Sequence, residues 1–349
     1  MPIRIAINGF GRIGRCALKL ALENPKLEIV AVNDLSPAPV LAHLLKYDSV
    51  YGPFDKEVGS EGGLSEKEHF PTTGAGFLMV AGRQIVVLAE KDPLKLPWKD
   101  LKVDVVLECT GRFTKKEEVS LHLQAGARRV ILSSPGKDGV PTFLFGVNED
   151  DYREETVVSN ASCTTNCISP VAGILEEKFG IQKAMMTTIH AYTAEQNLVD
   201  GAPPSLHKDL HRARAAGVNI VPTTTGAAKT TGEVIPGLAG IFDGLAVRVP
   251  VVCGSLSDFT LLLKKKVTVD EVNKAFIEAA ESARYRKIVA VSPEPLVSTD
   301  IIKNPHSAIV DLSLTRVVDG DLVKVVAWYD NEWGYSNRLV ELAVLVGAQ

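Results

Sequence analysis

Ile3-Arg-Ile-Ala-Ile-Asn-Gly9-Phe-Gly11-Arg-Ile-Gly14 decides the reading of this chain. Ile3, Ile5 and Ile7 alternate with Arg4, Ala6 and Asn8, the period of a short strand, and the run stops at Gly9. From Gly14 the stretch RCALKLALE takes up the periodicity of a helix, and a second β-branched run, Leu27–Val32, ends at Asp34, 20 residues beyond Gly14. A bare G-x-G-x-x-G is often an ordinary glycine turn. Here the strand before it, the helix after it and the spaced acid make it a dinucleotide fingerprint. Gly9 serves the tight turn, Gly11 lets the backbone approach a pyrophosphate at the helix N-terminus, and Gly14 lets helix and strand pack closely. Asp34 is expected to accept hydrogen bonds from the adenosine ribose and to repel a 2′-phosphate, which favours NAD over NADP.

Further strand-like runs at Val103–Leu107 and Val130–Leu132, separated by a helix-like stretch over Lys115–Ala125, continue the alternation and predict a Rossmann-type α/β domain with a doubly wound parallel sheet. After about residue 160 the pattern changes. Strand-like segments at Ala184–Ile189, Leu245–Val251, Asp258–Leu263, Ala308–Leu312 and Leu322–Tyr329 have fewer helices between them, as in an α+β domain with a mixed, largely antiparallel sheet. One helix there is announced by Thr268 and Glu271, which have capping-box spacing ahead of an amphipathic run. Tyr335–Val346 is helical by pattern.

The chain has 349 residues, enough for two domains, with 46% hydrophobic content and a formal charge of -4. No basic footprint is present for a nucleic-acid partner, so a small-molecule partner is expected. No uninterrupted apolar run has membrane-spanning length, and Arg4 and Asn8 break the first apolar segment, so neither a membrane anchor nor a signal peptide is expected. Five cysteines, an odd and sparse set, suit reduced thiols and a cytoplasmic protein. No cluster of His, Cys and Asp has metal-ligand spacing.

Among the thiols, Cys163 has the setting of a nucleophile. Val157–Asn160 reads as a strand, and Ser162-Cys163-Thr164-Thr165-Asn166 leads into a helix with Pro170 near its start. Backbone N–H groups and the helix dipole at such a terminus are expected to favour a thiolate. Cys16, Cys109 and Cys253 lie inside apolar runs and read as packing residues, whereas Cys167, one turn from Cys163, is either packed or an oxidation partner. Of seven histidines, His190 is placed best to serve as base, at the end of the strand Met185–Ile189. On the residues alone it reads equally well as a strand-end histidine with a structural partner.

At Ala161–Cys167, ASCTTNC resembles the active-site segment of the phosphorylating glyceraldehyde-3-phosphate dehydrogenase family. The resemblance continues through INGFGRIGR (Ile7–Arg15), LLKYDSVYGPF (Leu44–Phe54), TTIHAYTAEQ (Thr187–Gln196), HKDLHRARAA (His207–Ala216), VPTTTGAAK (Val221–Lys229) and WYDNEWGYSNR (Trp328–Arg338), covering nearly the whole chain. It implies that Cys163 attacks the aldehyde of glyceraldehyde 3-phosphate while His190 takes up the proton and steadies the oxyanion. Hydride passes to NAD, and inorganic phosphate cleaves the thioester to give 1,3-bisphosphoglycerate, a step of glycolysis and gluconeogenesis. By matching position, Thr193 and Arg248 would hold the substrate phosphate, and Ser162, Thr164, Thr225, Gly226 and Arg212 would receive inorganic phosphate. Arg12, Ile13, Lys91 and Ser133 would line the cofactor groove, with Asn331 on the nicotinamide carboxamide. The implied domains are 1–161 for NAD, with a C-terminal helix 331–349 packing back on it, and 162–330 for catalysis; the implied assembly is a homotetramer.

The sequence departs from the family pattern at several places. Gly59–Gly76 is longer than the usual connection, as an extended hairpin or loop would be, and Gly201–Leu206 is expanded. Glu195 stands where Asp is frequent and His211 where Arg is common; the neighbouring Arg212 keeps the phosphate assignment. Two alternatives are weighed. An erythrose-4-phosphate dehydrogenase shares fold, cysteine and histidine but typically differs at the segment Ala191-Tyr-Thr193. A non-catalytic RNA- or protein-binding relative does not need Cys163, His190, Arg212 and Arg248 intact.

Overall fold

A computed structural model describes residues 1–62, 76–203 and 209–348. Its contacts divide the chain into two compact units. The first comprises residues 1–143, 152–161 and 336–349, the second 144–151 and 162–335.

Among the described residues the first unit holds eight strands: β1 (Ile3–Asn8), β2 (Leu27–Asn33), β3 (Val58–Glu61), β4 (Gly76–Val80), β5 (Arg83–Leu88), β6 (Val105–Glu108), β7 (Arg129–Leu132) and β8 (Val157–Ser159). They form one sheet in the order β3-β4-β5-β2-β1-β6-β7-β8. From β5 to β8 the neighbours are parallel, as the alternating pattern predicts, whereas β3 and β4 add an antiparallel edge. The order reverses between β1 and β6, and this is where an open α/β sheet forms a crevice at its carboxyl ends. Ala6, Ala31, Val106 and Val130 are buried with Trp98 and Val119 beneath one face. The Lys115–Ala125 stretch forms two single turns, Lys116–Val119 and Leu121–Gln124, and not one helix. Between them the Ser120 hydroxyl donates back to the Lys116 carbonyl at 2.7 Å, a local bond with which serine competes with regular helix. Residues Gly59–Glu61 lie in β3 and Gly76 begins β4; the longer connection inferred between them, 63–75, lies outside the described residues.

The second unit contains β9 (Ile181–Ala191), β10 (Val221–Thr224), β11 (Phe242–Val249), β12 (Ser255–Leu263), β13 (Val289–Ser292), β14 (Ala308–Asp311), β15 (Arg316–Val318) and β16 (Leu322–Tyr329). Their order is β10-β11-β9-β12-β16-β14-β13, with β15 also on β16. β9–β11 and β13–β14 pair in parallel and the rest antiparallel, the mixed sheet expected. Phe259 and Leu261 of β12 and Val323 and Val325 of β16 point inward at strand period and meet Ile168, Val171 and Leu175 of the helix Cys163–Phe179. That helix continues through Pro170, which lies mid-helix and not near its start. The helix Val269–Glu281 starts at Thr268 with the capping box read from sequence: the Thr268 hydroxyl accepts from Glu271 N at 3.2 Å, and Thr268 N donates to the Glu271 carboxylate at 2.7 Å.

Two stretches fall in a different unit from the sequence-based division. Residues 144–151 group with the second unit because Tyr285 packs against Gly146, whose carbonyl accepts from Arg284 Nε at 3.0 Å. Residues 331–335 also join it, since Asn331 Oδ1 accepts from Gly254 N at 3.1 Å and Ser255 Oγ at 3.0 Å. The rest of the C-terminal helix Trp333–Gly347 belongs to the first unit, where Leu339, Leu342, Ala343 and Val346 are fully buried and Arg129 Nε donates to the Val346 carbonyl at 2.8 Å.

Candidate active site

In the first unit the carboxyl ends of β1, β2 and β6 open into a groove of about 360 Å³. Gly9 turns the chain at φ +93°, where a Cβ would stand 2.6 Å from Thr110 N. A Cβ on Gly14 would lie 2.2 Å from the Gly9 carbonyl oxygen, so helix and turn are in direct backbone contact. Gly11 faces open space and lines the groove. Each of these glycines thus has the surroundings its sequence role requires. The Asp34 carboxylate is oriented by two backbone N–H donors, Phe10 at 2.8 Å and Ser36 at 2.9 Å, one on each oxygen. Each oxygen keeps acceptor capacity for a ribose hydroxyl. Lys91 also lines the groove. Arg12 is turned to Asp48, at 2.8 Å, and lies over the Tyr51 ring, while Ser133 is fixed by its N–H to the Glu108 carbonyl at 2.9 Å; neither is among the groove's lining residues, nor is Ile13. The donor set, the open Gly11 backbone and the placed carboxylate fit a dinucleotide.

Sequence reasoning missed the polar floor of this groove. Asn8 and Asn33 line it and bond to each other at 2.7 Å, and Asn8 Nδ2 donates to the buried Glu108 at 2.5 Å. Behind them the fully buried His122 receives the Trp98 indole N–H on Nδ1 at 2.9 Å, so its single ring proton sits on Nε2, 3.1 Å from Glu108. Partners 24 and 14 residues apart carry no local signal. Cys109 also faces the groove, and burial pushes its thiol up to about 12, so it remains protonated there.

In the second unit Cys163 opens the helix Cys163–Phe179, capped by Ser162, whose hydroxyl accepts from Thr165 N at 3.1 Å. His190, nearly buried, is the penultimate residue of β9, and its Nε2 lies 3.4 Å from Cys163 Sγ. Arg248 is its register partner on β11 and places Nη1 at 2.7 Å from His190 Nδ1 and 2.9 Å from the Ala191 carbonyl. Tyr329, which the sequence reading did not single out, stands edge-on to the imidazole at 5.9 Å and ties its hydroxyl to Thr164 at 3.0 Å and Thr188 at 2.8 Å.

The electrostatics correct one expectation. Burial raises the Cys163 thiol above its ordinary range and outweighs the opposing pull of the Arg248 charge and of Thr164. His190 is driven down to about 3, first by burial and then by the Arg248 charge. Burial thus works against a charge on either group and opposes the helix N-terminus that favours the thiolate.

Arg212, buried, donates from Nε to Thr223 Oγ1 at 3.1 Å and from Nη2 to the Thr224 carbonyl at 3.4 Å, and its Nη1 is in short contact with Glu195. Since Val221–Thr224 pairs with β11, and β11 with β9, Arg212, Arg248 and His190 are brought together across three adjacent strands. Thr193 has a buried hydroxyl with no hydrogen-bond partner among the described residues. Gly226 precedes the helix Ala227–Val234 and a Cβ there would meet nothing within 4 Å; the Thr225 hydroxyl accepts from Ala227 N at 3.2 Å. His211 is exposed and bonds to Asp209 at 2.7 Å; the other Asp209 oxygen accepts from the Thr223 hydroxyl that receives Arg212 Nε. Residues 204–208, which include half of the expanded loop and His207, lie outside the described residues.

Comparison with known proteins places this geometry. The family model described as glyceraldehyde 3-phosphate dehydrogenase, C-terminal domain, matches residues 162–331, and the NAD binding domain of the same enzyme matches 3–116. The glyceraldehyde-3-phosphate dehydrogenase of Geobacillus stearothermophilus is 49% identical over 100% of this chain and 99% of its own length. That of Streptomyces coelicolor is 49% identical over the whole of both chains, and glyceraldehyde-3-phosphate dehydrogenase 2 of Bacillus subtilis is 47% identical over 100% and 98%.

Proposed function

The chain belongs to the glyceraldehyde-3-phosphate dehydrogenase family and is an NAD-dependent enzyme of glycolysis, and on that premise we propose how its residues divide the work. Cys163 is the nucleophile and His190 the base; the observation that carries this is the 3.4 Å contact between Sγ and Nε2. The thiol proton passes to Nε2 and sulfur bonds to the aldehyde carbon. The Nε2–H so formed then faces the new oxyanion. When bound, NAD supplies the acceptor for the hydride leaving that carbon. Gly9, Gly11 and Gly14 seat the pyrophosphate, Asp34 holds the ribose, Lys91 borders the groove, and Asn331, whose oxygen is taken by Gly254 and Ser255, offers its amide N–H groups to the carboxamide.

Arg248 and Thr193 hold the substrate's phosphate, a role supported by the unpartnered Thr193 hydroxyl and the guanidinium beside His190. Arg212, Ser162, Thr164, Thr225 and Gly226 receive inorganic phosphate, which attacks the thioester carbon; sulfur leaves and recovers its proton from His190, giving 1,3-bisphosphoglycerate. The enzyme works as a homotetramer. Large apolar side chains on the second unit support this, with Leu198 89%, Val199 75%, Val218 80% and Ile220 72% exposed. A cytoplasmic location is supported by five cysteines, none of which forms a disulfide. No helix among the described residues is long and apolar enough to cross a membrane.

The test follows NADH absorbance with glyceraldehyde 3-phosphate, with and without inorganic phosphate, in wild type and Cys163→Ala. Steady turnover that needs both phosphate and the thiol is expected. Rapid phosphate-independent oxidation of erythrose 4-phosphate, with slow reaction here, overturns the substrate assignment.

A further inference from the structure

At the carboxyl ends of three neighbouring strands, Asn33 of β2, Asn8 of β1 and Glu108 of β6 stand side by side in register, and all three are buried. Their hydrogen bonds run in one direction only. The Glu90 backbone fixes the first amide: Asn33 Oδ1 accepts from Glu90 N at 2.9 Å, while its Nδ2 donates to the Glu90 carbonyl at 2.9 Å and to Asn8 Oδ1 at 2.7 Å. Asn8 therefore turns its own Nδ2 to Glu108 Oε2, at 2.5 Å. His122 is fixed from its far side, since the Trp98 indole N–H occupies Nδ1 at 2.9 Å and leaves Nε2–H to meet the same oxygen at 3.1 Å. The 3.4 Å between Asn8 Nδ2 and His122 Nε2 thus separates two donors to one acceptor. Oε1 accepts from Thr110 N at 2.8 Å and is in short contact with the Thr110 hydroxyl. Asn8 Nδ2, His122 Nε2–H and Thr110 N–H cannot be reversed, so position 108 calls for a group that accepts on both oxygens, a carboxylate.

We propose that Glu108 is a positioning residue for the cofactor, holding the adenosine half of the groove in shape from behind its wall. Asn8, Asn33, Glu90, Lys91 and Thr110 line the groove, and Glu108 does not. The carboxylate ties their segments together, the end of β1 and the turn after β6 directly, the end of β2 and the Glu90–Lys91 turn through the two amides. Asp34 follows Asn33 and Lys91 follows Glu90, so the ribose acceptor and the cation are set by the same chain of bonds. The inference rests on the reading of Asp34 as the ribose-binding residue and deepens it. A neutral amide at position 108 would direct its NH2 either at Thr110 N–H or at the Asn8 and His122 donors. Turning Asn8 over to receive it sets two amide nitrogens against each other at Asn33, and turning Asn33 as well breaks both of its bonds to Glu90. The misfit is passed on to the groove and not absorbed at its source.

The experiment measures the calorimetric affinity of the full chain for ADP-ribose, which carries the adenosine and pyrophosphate but no nicotinamide, beside steady-state rates. In Glu108→Gln, equal in size but with a single acceptor, the Kd for ADP-ribose and the KM for NAD are expected to rise about tenfold, as for one buried donor left without its acceptor. At saturating NAD, kcat and the KM for glyceraldehyde 3-phosphate are expected to stay as in wild type. Glu108→Asp, shorter but still a carboxylate, is expected to lose less; a role in packing alone gives the opposite order. Asn8→Asp by itself sets two carboxylates together and should also lose affinity. Combined with Glu108→Gln it moves the acceptor one strand over, and the double variant should recover most of what each single variant loses. An unchanged Kd in Glu108→Gln, a larger loss in Glu108→Asp, or a double variant no better than the single ones overturns the positioning role. Should Glu108→Gln fail to fold, the double variant decides: binding of ADP-ribose upholds the role, and failure to fold or bind overturns it. Asp34→Ala, measured alongside, tests the ribose reading separately, because unchanged affinity there overturns that assignment whatever the Glu108 variants do.

Discussion

Glu195→Gln should lower the KM for inorganic phosphate about fivefold. Arg212 is held from three sides, by Thr223, by the Thr224 carbonyl and by Glu195, and of these only Glu195 brings a charge. Its carboxylate therefore lies where an incoming phosphate has to pair with the guanidinium. The Arg212 side chain is 8% exposed but that of Glu195 is 53%, so solvent screens the pair and its worth is near the upper end for surface ion pairs, about 1 kcal/mol. With 1.4 kcal/mol per factor of ten, that corresponds to roughly fivefold. The assay is the initial rate of NADH formation against phosphate concentration, with NAD and glyceraldehyde 3-phosphate saturating. Arg212→Ala, measured alongside, should raise the same KM. If Arg212→Ala raises it and Glu195→Gln leaves it unchanged or raises it, competition by the carboxylate is refuted. An unchanged value in Arg212→Ala removes that residue from the phosphate site altogether.

Gly14→Ala drives a methyl to 2.2 Å from the Gly9 oxygen, and overpacking against backbone should cost about 1–3 kcal/mol in urea unfolding with a matching loss of NAD affinity; retention of both would show that the turn can yield. Thr268→Ala removes the cap of the helix Val269–Glu281 and should lower stability by about 1 kcal/mol without changing kcat, as read from paired unfolding and rate measurements. Stability should also fall with acid through His190. Its pKa is near 3 folded against 6.5 for an ordinary histidine, so between these values the unfolded chain binds a proton that the native state excludes. The contribution is complete above about pH 6.5 and declines as pH drops toward 3, by at most about 1.4 kcal/mol per unit; urea midpoints across this window should slope less in His190→Gln.

How far the molecule was legible depends on the range of the contacts concerned. Gly9, Gly11, Gly14 and Asp34 could be read because strand, turn and helix follow one another within a few dozen residues, and the capping box at Thr268 is closed by a residue three positions on. Cys163 and its helix were legible for the same reason, yet the charge state of the sulfur was not, because burial is contributed by the folded unit as a whole and the dipole by one turn. The contact of Arg248 with His190 spans 58 residues and that of Arg212 with Glu195 spans 17, both made by strand pairing or loop return that no local pattern encodes. The antiparallel pair β3 and β4 is the hairpin alternative read at Gly59–Gly76, although the strands themselves are too short to be marked in the pattern. Residues 331–335 changed unit because the acceptor on Asn331 is met by donors 76 and 77 positions away.

His190 and Arg248 sit opposite each other on adjoining parallel strands, with Val247 paired to Ile189 and Val249 to Ala191 on either side. The backbone ladder works as an indexing device: displaced by one notch, it would offer the imidazole a valine, and a displacement of half a notch has no hydrogen-bonded solution. Tolerances at the reacting atoms are therefore inherited from the spacing of peptide groups and do not have to be tuned by the two side chains themselves. A mutational drift that leaves the ladder intact can alter what surrounds this couple, but the couple itself is either in step or lost.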